Sequence, residues 1–173
     1  LAPFSKWLTI SVLSGLWTDF DRYNDYKAAT KFLKEMGIEL VNREASSDKG
    51  YGNAITVDIT VEQEDKRLKS FSVRGTVTES HQMVSRIDEF DRLYFEPTGT
   101  TLFCIYDDRP GVIATISRKL ADKNINIEDM RNPHDITTQR SLAIIKLSQP
   151  VSTELIAEIK KDIAAHAVVC TNV

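Results

Sequence analysis

Apolar residues recur along this chain at two spacings, every three to four residues in some stretches and every second residue in others. From Leu1 to Trp17 the stripe Phe4, Leu8, Val12 and Leu16, with Pro3 near the first turn, predicts a helix, although Thr9-Ile10-Ser11-Val12 would also suit a strand. Asn24 or Asp25 offers a cap to a second helix. Its apolar positions are Tyr26, Ala29, Phe32, Leu33 and Met36, and Gly37 is placed to end it. Ile38 to Val41 reads as a strand, and residues 42–53 form a polar loop holding Gly50 and Gly52. Ile55, Val57, Ile59 and Val61 then alternate without a break, the pattern of a half-buried strand. Glu64-Asp65-Lys66 turns the chain, and Phe71, Val73, Gly75 and Val77 bring it back. Two shorter strands, 83–88 and 92–96, flank a turn at Glu89-Phe90-Asp91.

Pro97-Thr98-Gly99-Thr100 interrupts two apolar runs and marks the boundary between a first domain, residues 1–97, and a second, residues 98–173. Beyond it the pattern is plainer. Thr101–Tyr106 reads as a strand, and Pro110–Asp122 as a helix with Val112, Ile113, Ile116 and Leu120 inward. Asn124–Met130 and Ser141–Leu147 are strands. Val151–Ile163 is a helix turned inward through Val151, Leu155, Ile156, Ile159 and Ile163, and Ala167–Val173 closes the chain as a strand. The order βαββαβ implies a ferredoxin-like fold with both helices on one face of an antiparallel sheet. The fold class is therefore α+β, an antiparallel-sheet domain followed by a ferredoxin-like one.

Composition narrows the partners. Hydrophobic residues make up 42% and charged residues 27%, ordinary for a globular protein. Residues 1–97 carry thirteen basic and sixteen acidic side chains and residues 98–173 nine of each, so neither half has the excess a nucleic-acid backbone requires. No apolar run reaches the roughly 18 to 20 residues of a membrane span, and the opening stretch lacks a signal peptide's basic start and cleavage site. A cytoplasmic location follows as an expectation. The chain starts at leucine, not methionine, and is read as preceded by further residues. Cys104 and Cys170 sit in apolar runs and read as reduced core residues in preference to a disulfide or reactive thiol. His81, His134 and His166 are widely separated, and no ligand spacing supports a metal.

Two segments carry candidate chemistry. In Asp107-Asp108-Arg109-Pro110-Gly111, the proline suits a first helical turn, and the glycine lets a ligand approach the exposed N–H groups there, which attract an anion. The aspartates beside them can accept from an ammonium group, so the segment suits a zwitterion; Asp-x-Pro is equally a plain helix cap. In Asn124-Ile125-Asn126-Ile127, strand alternation puts both asparagines on one face, where an amide can donate to a carboxylate and accept from an ammonium group. The same residues also suit a helix-to-strand turn.

Taken together, Asp-x-Pro-Gly, an amphipathic helix and Asn-Ile-Asn-Ile within βαββαβ resemble the signature of the ACT domain, over all of residues 100–173. The resemblance implies amino-acid binding, edge-to-edge pairing of copies and regulation of an enzyme on the same chain. The effector contacts it implies are Tyr106, Asp108, Pro110, Gly111, Val112, Asn124 and Asn126. Within that group the run from Asp107 to Ile127 is similar to the carboxyl-terminal part of the D-3-phosphoglycerate dehydrogenase family. Ser11–Trp17, Met36-Gly37-Ile38 and Val73–Val77 are similar to that family's intervening, allosteric-substrate-binding domain. The resemblance implies an L-serine-like effector, a homo-oligomer, and NAD bound in a catalytic portion outside this chain, with no cofactor here. It also implies an anion site on the later strands of the first domain, where Arg74, Arg86 and Arg92 fit best and Lys69 less well. Those arginines also read as a solvated face paired with Glu79, Asp88, Glu89 and Asp91.

Two departures stand out. The serine-inhibited members offer a histidine and an asparagine where this chain has Tyr106 and Asp108, while Asn126 is retained. Asp108 accepts from an ammonium group but repels a carboxylate. The opening region is also shorter than the family's, with a strand missing before Ser11. No G-x-G-x-x-G follows a strand and no nucleophile–base arrangement appears, so the chain by itself reads as a non-catalytic fragment of an NAD-dependent dehydrogenase. The competing readings are an oligomerisation module without a live effector site, and the equivalent regulatory segment of an iron–sulfur L-serine dehydratase.

Overall fold

The computed structural model describes residues 2–17, 19–21, 23–41, 43 and 53–173. The chain divides into two compact units, Leu1–Tyr51 and Gly52–Val173.

In the first unit, α1 (Ala2–Leu16) and α2 (Tyr26–Glu35) pack through Ile10, Leu13, Phe20, Ala29 and Leu33. The ring of Phe32 meets Trp17 edge-on at 5.6 Å and Phe20 at 5.1 Å. The helix expected at the start of the chain is present, but its inward stripe is Ile10 and Leu13. Leu8 and Leu16 are exposed, and the side chain of Phe4 lies outside the described residues. Asp25 caps α2 by accepting from the Ala28 N–H at 2.8 Å. At the other end Gly37, at φ +67°, lets its own N–H reach Lys34 O and that of Ile38 reach Leu33 O, so the last carbonyls of the helix are satisfied. The strand expected at Ile38–Val41 does not form; no strand lies beside it among the described residues to take its hydrogen bonds, and Leu40 and Val41 are exposed. Most of the 42–53 loop, Gly50 and Gly52 included, lies outside the described residues.

The second unit holds two sheets. β1 (Ala54–Glu62), β2 (Leu68–Thr78), β3 (His81–Ile87) and β4 (Phe90–Phe95) form an antiparallel meander in that order. Phe90, expected in a turn, is instead the buried first residue of β4, opposite Ile87. The second sheet runs β6 (Ile127–Arg131), β8 (Arg140–Leu147), β5 (Thr100–Asp107) and β9 (Ala167–Asn172). A short β7 (His134–Asp135) also pairs with β8; nothing in the apolar pattern announced it. With α3 (Val112–Ala121) and α4 (Thr153–Asp162) this completes the expected βαββαβ order.

Both faces of the second sheet are covered at its centre. On the helix side Leu102, Cys104, Tyr106, Ala143, Ile145 and Leu147 pack with Val112, Ile116, Leu120, Leu155, Ile159 and Ile163. On the other side Leu142 and Ile144 pack with Phe90, Leu93 and Phe95, joined by Phe103, Ile105, Val84 and Ile87. Strand neighbours point to opposite faces, so a strand buried on both must be apolar at nearly every position, as Leu142–Ile145 is. The break at Pro97–Thr100 is thus a change of sheet, while the compact units part after Tyr51, because β4 shares a core with β5 and β8. That core reaches Val84 and Ile87 but not the far strands. Val57 and Ile59 are half-buried as the alternation predicts, whereas Ile55, Val61, Phe71, Val73 and Val77 are exposed, so the apolar face of β1 and β2 is only partly covered.

Candidate functional site

Strand register builds a polar cluster at one end of the second sheet. Ser141 on β8 lies opposite Tyr106 on β5 and His134 on β7, so the three side chains form a row on one face. Tyr106 is 1% exposed, and its hydroxyl donates to Asn132 Oδ1 at 2.6 Å. The buried Ser141 hydroxyl donates to Asp108 Oδ1 at 2.8 Å. His134 Nδ1 stands 3.6 Å from Asp108 Oδ2 and 3.5 Å from Ser141 Oγ. Burial raises the Tyr106 phenol above its ordinary pKa. Its bond to Asn132 opposes the rise, the nearby Asp108 carboxylate adds to it, and Ser141 opposes it again. Asp108 N also donates to Gln139 O, which ties the loop after β5 to the β7–β8 hairpin.

Asp107, one residue earlier, points the other way. It accepts from His166 Nε2 at 2.7 Å and lies opposite Arg140. The hydrogen bond from His166, then the charges of His166, Arg140 and Arg109, hold its carboxyl below the usual value. Arg109 donates to Asp107 O and to Ile163 O at the end of α4. Neither aspartate caps α3. Gly111 occupies the cap position at φ +90°, with Pro110 before it, so the plain-cap reading of Asp-x-Pro does not hold. A Cβ at Gly111 would meet nothing within 4 Å; the glycine answers a backbone requirement, not a close approach within the chain.

Residues 100–131 match the ACT domain family. This chain carries an ACT domain. It is similar to D-3-phosphoglycerate dehydrogenase of Synechocystis sp., at 25% identity over 91% of this chain, and to that of Bacillus subtilis, at 30% over 73%. It spans only 28% and 23% of those relatives' lengths. A probable L-serine dehydratase beta chain of Bacillus subtilis is 22% identical over 88% of this chain and 67% of its own length.

Within the ACT domain the expected effector residues fall into two groups. Tyr106, Asp108, Pro110, Gly111 and Val112 gather where β5 passes into α3. Asn124 and Asn126 lie at the opposite end of the sheet, since Asp107 is level with Arg140 and Ile127 with Leu147 on the same strand. Seven residues separate those levels, about 23 Å at about 3.3 Å per residue. The asparagines do not share a strand face either. Asn124, at φ +55°, belongs to the turn in which Ile125 N reaches Leu120 O. Asn126 is exposed and held by Ser148, whose hydroxyl accepts from the Asn126 N–H at 3.1 Å.

Of the residues offered for an anion, Arg74 and Arg86 are direct cross-strand partners on β2 and β3. Arg86 donates through Nη2 to Ser72 Oγ, which donates to Asp58, and the buried Arg86 Nε has no partner. Arg92 is exposed on β4, next to Asp91, the cross-strand partner of Arg86. Lys69 pairs with Val61 and so lies on the opposite face of the sheet, with its ammonium over the Phe71 ring.

Cys104 and Cys170 are free thiols, and burial pushes Cys104 up to about 12. Among the described residues no group of His, Cys, Asp and Glu is placed to hold a metal, and no helix is long and apolar enough to cross a membrane. Asn132, His134 and Ser141 were not legible as site residues, because only the β7–β8 pairing brings them to Asp108 and Tyr106.

Proposed function

We propose that this chain is the amino-acid-responsive regulatory segment of a D-3-phosphoglycerate dehydrogenase, acting in the cytoplasm. The intervening part would span residues 1–97 and the ACT part residues 98–173. The nicotinamide cofactor would belong to a catalytic portion outside this chain, which has no glycine-rich dinucleotide loop. The observation that carries the reading is the division of the effector residues between the two ends of the sheet. A small amino acid cannot touch Asp108 and Asn126 of one chain across about 23 Å. It can touch both if two copies meet along β6, an edge strand of the sheet. Symmetric antiparallel pairing of β6 brings Asn126, just before the strand in one copy, level with Asn132, just after it in the other. Asn126 of the second copy would then complete the cluster around Tyr106 and Asp108.

In such an assembly the ligand favours the paired arrangement, and the coupling this transmits is typically about 1 to 3 kcal/mol. The Arg74–Arg86 pair is proposed as a second, anion-binding element. Like charges directly opposite on neighbouring strands are unfavourable, and an anion bound between them relieves that. A second reading, the regulatory part of an L-serine dehydratase, is supported by the 67% of the beta chain's length that this chain spans. The flanking gene sequence separates the two, cluster-ligating cysteines marking the dehydratase and a G-x-G-x-x-G loop the dehydrogenase.

Isothermal titration calorimetry with L-serine, glycine and other amino acids, beside light scattering, tests the proposal. Saturable binding by a dimer, lost in both Asp108→Ala and Asn126→Ala, is the expected result. A folded dimer that binds no amino acid would leave only an oligomerisation module and turn attention to the arginines.

A further inference from the structure

Asp108 poses a problem for an amino-acid site, because its carboxylate welcomes the ammonium end of the ligand and opposes the carboxylate end. The cluster holds a group suited to the second task. Asn132 is exposed, yet its amide oxygen is engaged by the hydroxyl of a tyrosine that is 1% exposed. A buried tyrosine has one place for its ring and little freedom for its O–H. With the amide oxygen accepting that hydrogen at 2.6 Å, the amide nitrogen is turned away from Tyr106, and its two hydrogens remain for a ligand. The Asp108 carboxylate is oriented from the same core by the buried Ser141 hydroxyl at 2.8 Å, with the exposed His134 Nδ1 3.6 Å from its second oxygen. Ser141 stands opposite Tyr106, so donor and acceptor flank one buried row of side chains.

We propose that Asn132 is the carboxylate-reading residue of the effector site, oriented by Tyr106, while Asp108, oriented by Ser141, reads the ammonium group. The ligand class is the free α-amino acid, whose ammonium and carboxylate groups are both carried by one carbon; a simple amine satisfies only half of the site. Tyr106 is a positioning residue that acts through Asn132. This deepens the amino-acid reading above and rests on it.

The test measures binding to the full chain by NMR titration for glycine and L-serine, and for methylamine and ethanolamine, which lack the carboxylate. Asn132→Ala weakens the amino acids about tenfold or more and leaves the amines unchanged; Asp108→Asn weakens both classes. Tyr106→Phe weakens the amino acids only, and in the double variant with Asn132→Ala its effect disappears, because there is no amide left to orient. Asn132 is exposed, so an unchanged thermal melt for its variant checks that folding is intact. Amino-acid affinity unchanged in Asn132→Ala, or equal losses for amino acids and amines, overturns the assignment while the sensor reading stands. Wild-type protein that binds neither class removes both.

Discussion

Asp107 and Asp108 are neighbours in sequence and do unrelated work. One holds His166 and faces Arg140; the other joins Ser141 and His134. β5 ends at Asp107, and the two carboxylates leave it toward different partners, so they do not converge on one ligand. The lowered carboxyl of Asp107 has a direct consequence for stability. A group whose folded pKa lies below its unfolded value of 3.8 stabilises the fold above that value and ceases to do so as pH falls through the folded one. Asp107→Asn is therefore expected to lower the urea midpoint at neutral pH, with the difference from wild type shrinking as pH falls below 3.8. Urea titrations at several pH values check this; a gap that persists in acid would assign the loss to something other than charge.

At the scale of elements, local chemistry decided whether a helix forms, and packing decided which face it buries. α2 shows the first point: a cap at Asn24 or Asp25, the inward Ala29 and Leu33, and Gly37 were legible because a cap, an apolar stripe and a left-handed terminus are local requirements, and the structure selects Asp25. Gly37→Ala should cost about 1 kcal/mol, since a residue with a Cβ resists φ +67° although the space is open. Circular dichroism in urea measures it, and an unchanged midpoint would mean that the helix ends differently in solution. α1 shows the second point. Its residues offer several apolar stripes, and Ile10 with Leu13 is buried because α2 presents Ala29 and Leu33. Ile38–Val41 has the composition of a strand, but a strand needs a neighbour to satisfy its backbone, and none lies beside it among the described residues.

For the second unit as a whole, the decisive contact is the cluster in which Phe90, Leu93 and Phe95 cover Leu142 and Ile144. The two sheets share this core, so they should unfold together. Leu93→Ala, at a site that is 2% exposed, is expected to destabilise by about 2 to 5 kcal/mol. Amide exchange should quicken on β5 and β8 as well as on β3 and β4. Exchange on β8 that stays at the wild-type rate would show that the sheets are independent. Ile105 and Phe103 pack against that core, so the proposed effector at the end of β5 would have a packed route to β4.

The sequence alone determined the βαββαβ order, the extent of the second helix from Asn24 or Asp25 to Gly37, the first meander hairpin and the ACT signature, because these rest on periods, turns and spacings carried by adjacent residues. Tertiary structure decided the rest. It brought Asn132, His134 and Ser141 to Tyr106 and Asp108, parted Asn126 from them by the length of the sheet, and joined the two sheets through β4. Each of those outcomes depends on strand register or face-to-face packing between residues distant in the chain, and no local pattern records which distant residue will be opposite.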